Sequence, residues 1–163
     1  MSTLTLITIV RNDIKGLKNT FNSIKNKPNW VKWVVIDGSS TDGTIEYINQ
    51  ISNSIDFWLS EPDSGIADAF NKGISNSETD FVLFLNAGDS LIDGFFESAE
   101  RLLNTLDNLG RRVAVGKINF GGRVVGRPVT VGMQKKRNYL PHQGMLIKRS
   151  LFNELGLYDI NYR

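Results

Sequence analysis

"DFVLFLNAGDS", Asp80 to Ser90, is an apolar run that ends abruptly on Asn86, Ala87, Gly88 and Asp89. Five apolar residues in succession, Phe81 to Leu85, read as a strand buried on both faces, which is the signature of a parallel sheet covered by helices on each side. Working outward, "LTLITIV" (Leu4 to Val10), "KWVVID" (Lys32 to Asp37) and "IDFWLS" (Ile55 to Ser60) read as three further strands. Helical spacing separates them: Ile14, Leu17, Phe21 and Ile24 in the first interval, and Ile45, Ile48 and Ile51 in the second, after the cap-forming Ser40-Thr41-Asp42. "GIADAFNKGIS" fills the third interval. Four strands joined by three helical crossovers predict an α/β domain, Rossmann-like, with a mainly parallel sheet and flanking helices. A further helix is expected from Phe95 to Leu106. Beyond it, "RRVAVGKINFGGRVVGRPVTVG" alternates in short Gly-punctuated runs, which predicts hairpins added to the parallel core. Trp30, Trp33 and Trp58 lie beside strands and read as core aromatics.

Open parallel sheets bind ligands at the carboxyl ends of their strands. Every polar cluster of the first half falls at such an end: Arg11-Asn12-Asp13, Asp37-Gly38-Ser39-Ser40, Glu61-Pro62-Asp63 and Asn86-Ala87-Gly88-Asp89. Turn residues are polar in any protein, but four acid- or amide-bearing clusters on one rim point to a ligand cleft. Neither a G-x-G-x-x-G after the first strand nor a G-x-x-x-x-G-K-[ST] occurs, so dinucleotide oxidoreductase and P-loop chemistry lose their main support. Asp37 is suited to accept a nucleobase N–H or a ribose hydroxyl. Asp89 suits a hard divalent cation shared with phosphate. Together they describe a nucleoside diphosphate.

The ordered set "TIVRN", "VVIDGSSTDGT", "SEPDSGIADAFNKGI", "FLNAGD" and "PHQGMLIKRSLFNELGLYD" resembles family 2 glycosyltransferases, and in particular their bacterial surface-polysaccharide branch. The resemblance covers nearly the whole chain. It implies the A-type glycosyltransferase fold, a nucleotide-sugar donor, Mg²⁺ or Mn²⁺, and inversion at the anomeric carbon. By motif position it places Val10, Arg11 and Asn12 beside base and ribose, with Asp37 accepting from the base, often uracil. Glu61, Asp63, Asp68 and Asn71 would line the donor cleft, with Lys72 nearby. Where the family carries a DxD or DxDD pattern, this chain has Asn86 and Gly88 at the first and third positions, leaving Asp89 as the metal ligand. Asn86 and Ala87 would then face the donor, and Gly88 would permit close backbone approach.

The resemblance also implies a catalytic base soon after "GLYD", and the sequence ends at Arg163, four residues past Asp159. The base is therefore expected beyond Arg163, with Asp159 as a candidate substitute, and the expectation is a single catalytic domain over residues 1–163, truncated at its C-terminus. Residues 1–90 would form its nucleotide-sugar half and residues 91–163 its acceptor-side half. His142 and Gln143 would sit on the acceptor side. The alternative is a nucleotide-sugar-binding module without turnover. A sugar-nucleotide pyrophosphorylase would want a glycine-rich basic loop after the first strand, which "TIVRNDIKGL" does not supply.

Charge divides the chain the same way: residues 1–90 hold 7 Lys+Arg against 11 Asp+Glu, and residues 91–163 hold 12 against 6. Arg111, Arg112, Lys117, Arg123, Arg127, Lys135, Lys136, Arg137, Lys148 and Arg149 occur with no acid between Asn108 and Asn153. Such a run is either a solvated face or an attraction for an anionic acceptor, such as a lipid-linked saccharide at the inner membrane surface. No nucleic-acid module is recognisable, so nucleic acid is not an expected partner. With no cysteine, no secretory pattern and no run of about 20 apolar residues, the reading is a cytoplasmic protein, with peripheral membrane contact open.

Overall fold

The computed structural model describes residues 2–120, 123–125 and 142–161. In chain order the elements are β1 (Leu4–Val10), α1 (Ile14–Ile24), β2 (Val31–Asp37), α2 (Thr44–Gln50), β3 (Phe57–Ser60), α3 (Ile66–Ser75), β4 (Phe81–Phe84), α4 (Phe95–Asn108), β5 (Val113–Val115), β6 (Ile118–Phe120), β7 (Arg123–Val125), β8 (Met145–Lys148) and α5 (Ser150–Leu155). Six strands form one sheet in the order β3-β2-β1-β4-β8-β5. β1 runs parallel to β2 and β4, and β2 parallel to β3, as the alternation of strand and helix patterns predicts. β8 lies antiparallel to β4, and β5 antiparallel to β8.

Strand periodicity explains how two cores form on one sheet. Leu4, Leu6 and Val10, with Val31, Trp33 and Val35 and with Phe81, Leu83 and Leu85, join Leu17, Ile24, Ile48 and Leu103 from α1, α2 and α4. Residues one step out of phase, Ile7, Val34, Ile36, Val82 and Phe84, meet Ala69, Phe70 and Ile74 of α3 on the opposite face. β4 is buried along its whole length, as its unbroken apolar run requires. Trp33 is fully buried, stacks on Phe21 at 5.7 Å and donates from Nε1 to Thr8 Oγ1 at 2.9 Å, a satisfied core aromatic.

The second half departs from a simple set of hairpins. β6 and β7 do form one, as a separate two-stranded sheet. β5 instead pairs with β8, which arrives some thirty residues later in the chain and inserts between β4 and β5. Residues 126–141, which hold Arg127, Lys135, Lys136 and Arg137 of the basic run, lie outside the described residues. Among the described residues, no helix is long and apolar enough to cross a membrane.

The strand order fixes where a ligand can enter. The chain steps outward from β1 to β2 and β3, then returns to lay β4 on the other side of β1. Connections therefore leave in opposite directions from the ends of β1 and β4, opening a crevice between Val10 and Asn86.

Candidate functional site

That crevice is a cavity of about 340 Å³ lined by Ile9, Val10, Arg11, Asp13, Asp63, Gly65, Ile66, Ala69, Asn86 and Ala87. It gathers residues from the first, third and fourth strand exits. A second hollow of about 270 Å³, between the C-terminal end of α1 and the start of β2, includes Lys27 and Asp56, which form an ion pair, and is remote from the strand exits.

The loops that make the rim are tied to one another. Asn12, in the left-handed region at φ 50°, donates its amide to Ser40 Oγ at 2.7 Å, and its Oδ1 accepts from the Thr41 amide at 2.8 Å. Asp13 caps α1 by accepting from the Gly16 amide at 2.8 Å. Asp42 accepts from both the Thr44 amide and hydroxyl and from the Ile14 amide, serving two helix starts with one carboxylate. Asn12 is thus committed to joining two loops, while the exposed Arg11 stands at the cavity wall.

Asp37, at the end of β2, is fully buried. Its Oδ2 accepts from the Ser40 amide at 3.0 Å and the Ser60 hydroxyl at 2.6 Å, while Oδ1 has no partner among the described residues. The carboxylate is not part of the cavity wall. Next along the chain, Gly38 is approached so closely by Asp63 that a Cβ there would lie 2.7 Å from Asp63 Oδ2 and 3.3 Å from the Arg11 Cδ. Only glycine leaves room for both side chains above the exit of β2.

The third exit is a charge cluster around one cation. Lys72 Nζ lies 2.7 Å from Asp63 Oδ1, 3.1 Å from Glu61 Oε1 and 3.4 Å from Asp68 Oδ2, and also donates to the Pro62 carbonyl at 2.8 Å. Burial acts to lower the Lys72 pKa, but its bonds to Asp63 and Glu61 outweigh that effect and hold the ammonium above its ordinary range. The expectation of Lys72 beside the cleft acids understates its position, which is at their centre. Asn71 departs from the expectation of a cleft residue: its amide donates to the Tyr158 carbonyl at 2.8 Å and accepts from the Tyr158 amide at 2.9 Å.

The fourth exit is a tight turn. The Asp89 amide donates to the Asn86 carbonyl at 2.9 Å, with Gly88 at φ 92°, the sign a type II turn requires at that position. Asp89 Oδ2 accepts from the Asn86 amide at 3.2 Å, whereas Asn86 Oδ1 is buried with no partner among the described residues. Partial burial raises the Asp89 pKa above the usual carboxylate range, and the Asn86 N–H offsets this only in part. Two buried acceptors without partners among the described residues therefore flank the exit of β1, Asp37 Oδ1 on the β2 side and Asn86 Oδ1 on the β4 side.

Glycosyl transferase family 2 matches residues 5–156. The chain belongs to that family. An uncharacterised glycosyltransferase of Mycobacterium tuberculosis is 29% identical over 98% of the chain and 64% of its own length. A PGL/p-HBAD biosynthesis glycosyltransferase of Mycobacterium bovis is 30% identical over 80% of the chain and 52% of its own length. The chain thus spans between half and two-thirds of the length of these family 2 relatives. Among solved structures, residues 1–349 of Staphylococcus aureus TarS in complex with UDP align at TM-score 0.77 and 19% identity, covering 98% of this chain and 51% of that one. A mannosyltransferase of Pyrobaculum calidifontis in complex with GDP-Man and Mn²⁺ aligns at TM-score 0.73 and 15% identity, covering 98% and 48%. These structures establish the mainly parallel A-type glycosyltransferase fold.

Asp89 is the residue to weigh as a ligand for a divalent cation. Among the described residues, no three His, Cys, Asp or Glu side chains gather to hold a metal unaided. Asp89 is a partly desolvated carboxylate, and it has no salt-bridge partner among the described residues. Such a group suits a metal whose remaining ligands are phosphate oxygens and waters.

The acceptor-side candidates stand apart from the cavity. His142 stacks on Phe84 at 4.6 Å and packs against Phe70, and its Nε2 is 2.9 Å from the Tyr158 hydroxyl. Burial lowers the histidine pKa and raises the phenol to about 12, so both are neutral at pH 7 and the phenol O–H can donate to an unprotonated Nε2. Gln143 is exposed. Asp159 is also exposed, and its Oδ1 accepts from the amide of Asn161 at 2.9 Å and from its Nδ2 at 3.2 Å. Thr20, Ser60 and Tyr158 are the site-building residues that sequence reading missed. Thr20 alone gave a signal, a polar side chain on the buried face of α1.

Proposed function

We propose that this chain binds the donor of a metal-dependent, inverting glycosyltransferase that moves a sugar from a nucleotide-sugar to a saccharide or lipid-linked saccharide acceptor. The observation that carries the reading is the pair of unpartnered buried acceptors, Asp37 Oδ1 and Asn86 Oδ1, beside the switch-point cavity. Buried oxygens of this kind are ordinarily met by an ordered water, an ion or a ligand, and a ligand is the reading that the neighbouring cavity favours. In this reading Asp37 Oδ1 accepts the N–H of the base. Asn86 Oδ1 accepts from a ribose or sugar hydroxyl. Uracil is the preferred base, a choice supported by the UDP and UDP-GlcNAc complexes of TarS. For the setting we favour surface-polysaccharide or glycolipid assembly, for which the similarity to a PGL/p-HBAD biosynthesis glycosyltransferase is the support.

Asp89 would hold Mg²⁺ or Mn²⁺ with the donor pyrophosphate, and the cation's role is to offset charge gathering on the leaving diphosphate. The acceptor hydroxyl attacks the anomeric carbon from the face opposite the leaving group, and a general base takes its proton. Among the described residues, His142 Nε2 is paired with the Tyr158 hydroxyl, and the exposed Asp159 accepts from Asn161 through Oδ1. The basic second half favours an anionic acceptor, including one carried at a membrane surface.

Calorimetric titration with UDP, GDP and dTDP, each with and without Mn²⁺, tests the reading. Binding of UDP that tightens with Mn²⁺, and loses that gain in Asp89→Ala, is expected. Failure of all three nucleotides to bind would overturn it.

A further inference from the structure

The turn that carries Asn86 and Asp89 is shaped by a helix far from it in sequence. Thr20 occupies the inward stripe of α1 with Leu17 and Ile24, where an aliphatic side chain would be ordinary, and is fully buried. Its Oγ1 is 2.7 Å from the Asp89 carbonyl oxygen, 3.1 Å from the Asn86 carbonyl oxygen, and accepts from the Gly88 amide at 3.1 Å. A hydroxyl has one proton and two lone pairs, so it donates chiefly to the nearer carbonyl, that of Asp89, while accepting from Gly88. Three of the four turn residues converge on this one oxygen. Three residues further along the helix, Ser23 Oγ accepts from the Leu91 amide at 3.1 Å and donates to the Thr20 carbonyl at 2.8 Å. The two hydroxyls hold both limbs of the segment 86–91.

The direction of the Asp89 side chain follows from its backbone, and its Oδ2 closes the turn on the Asn86 amide. Releasing the Gly88 amide and the Asp89 carbonyl, which lie on either side of the Gly88–Asp89 peptide, would therefore swing the carboxylate. A valine at position 20 would fill the same space but leave a partly buried N–H and carbonyl without a partner.

We infer that Thr20 is the positioning residue of the strand-exit turn, its hydroxyl fixing the Gly88–Asp89 backbone and so aiming the Asp89 carboxylate at the cation and diphosphate of the donor. This rests on the proposed role of Asp89. The test uses the full chain as wild type, Thr20→Val and Thr20→Ser. Amide hydrogen exchange at Gly88 and Asp89 without nucleotide is read first, then UDP affinity with EDTA and with Mn²⁺. In Thr20→Val, exchange at the two amides is expected to quicken roughly tenfold, and the Mn²⁺-dependent gain in affinity to shrink roughly tenfold. Affinity in EDTA should stay within about twofold of wild type, which a general loss of packing would not allow, and Thr20→Ser should restore both readouts. If Thr20→Val does not fold, Thr20→Cys must show the same division.

Unchanged exchange at Gly88 in Thr20→Val overturns the inference, as does an equal loss of affinity with and without metal. A wild-type protein that binds UDP without any Mn²⁺ gain defeats the Asp89 metal reading and the aiming role with it. The exchange data would then still report whether Thr20 holds the turn.

Discussion

The strand-exit rim and the cluster around Tyr158 both place polar groups in partly buried surroundings, yet they complete their hydrogen bonds differently. Around Tyr158, Asn71 satisfies both the amide and the carbonyl of its backbone, and His142 meets its hydroxyl. At the rim, Asp37 and Asn86 each keep one buried oxygen without a partner among the described residues. A closed network fastens one segment to another, whereas an open one has capacity left for a ligand. By this criterion Asn71 and His142 fasten the residues near the end of the described chain to α3 and β4, whereas Asp37 and Asn86 keep the hydrogen-bonding capacity that the proposed donor role requires.

The largest effect should come from Asp37→Asn. Nucleotide affinity is expected to fall roughly hundredfold, about 2.7 kcal/mol, by calorimetry. Urea unfolding should change little, because asparagine can keep its side-chain oxygen on the Ser40 amide and the Ser60 hydroxyl. A destabilised variant with normal affinity would put Asp37 in the fastening class. Next, Lys72→Met should cost roughly 2 kcal/mol in urea unfolding, between the limits for buried and exposed ion pairs, since Glu61, Asp63 and Asp68 lose their common cation. Asn71→Ala should cost about 1.5 kcal/mol for its two backbone bonds and leave nucleotide affinity unchanged. Weakened nucleotide binding there would erase the distinction between the regions.

The smallest effect is a pH dependence. The folded pKa of His142 lies below 6.5, so its contribution to stability is complete above pH 6.5 and is lost as pH falls through the lowered value. Thermal unfolding followed from pH 7.5 to pH 5 should show this decline, flattened in His142→Phe. Asp89 has the opposite sign: its raised folded pKa means that ionising it weighs against the fold as pH rises. A cation requires the ionised form, so the Mn²⁺ gain in affinity should fade at a higher pH than it would for an ordinary carboxylate.

The parallel core was legible because its signals are local. Unbroken or alternating apolar runs of four to seven residues mark β1, β2 and β4, and helical spacing marks α1, α3 and α4. The position of the polar strand exits was legible for the same reason, since Asp37 closes the run of β2 and Asn86 to Asp89 follow the run of β4. What escaped reading depends on contacts between distant residues. Thr20 meets Asn86 across 66 positions and Asn71 meets Tyr158 across 87, and no short window holds both partners. The insertion of β8 between β4 and β5 is hidden likewise: a four-residue apolar stretch states that it is a strand without saying which neighbours it joins. Lys72 was placed near its acids only by motif position in the family resemblance; that Glu61, Asp63 and Asp68 share it as a common cation depends on the loop before α3 folding back onto the helix.

The central claim is that the unpartnered oxygen of Asp37 accepts the base N–H, and UDP methylated at N3 tests it most directly. That analogue keeps the ribose, the diphosphate and the shape of the ring face while removing the one proton Asp37 Oδ1 would accept. The account predicts that wild-type protein binds it roughly hundredfold more weakly than UDP, and that Asp37→Asn binds the two nearly alike. Equal affinity of the wild type for UDP and its N3-methyl analogue would contradict it.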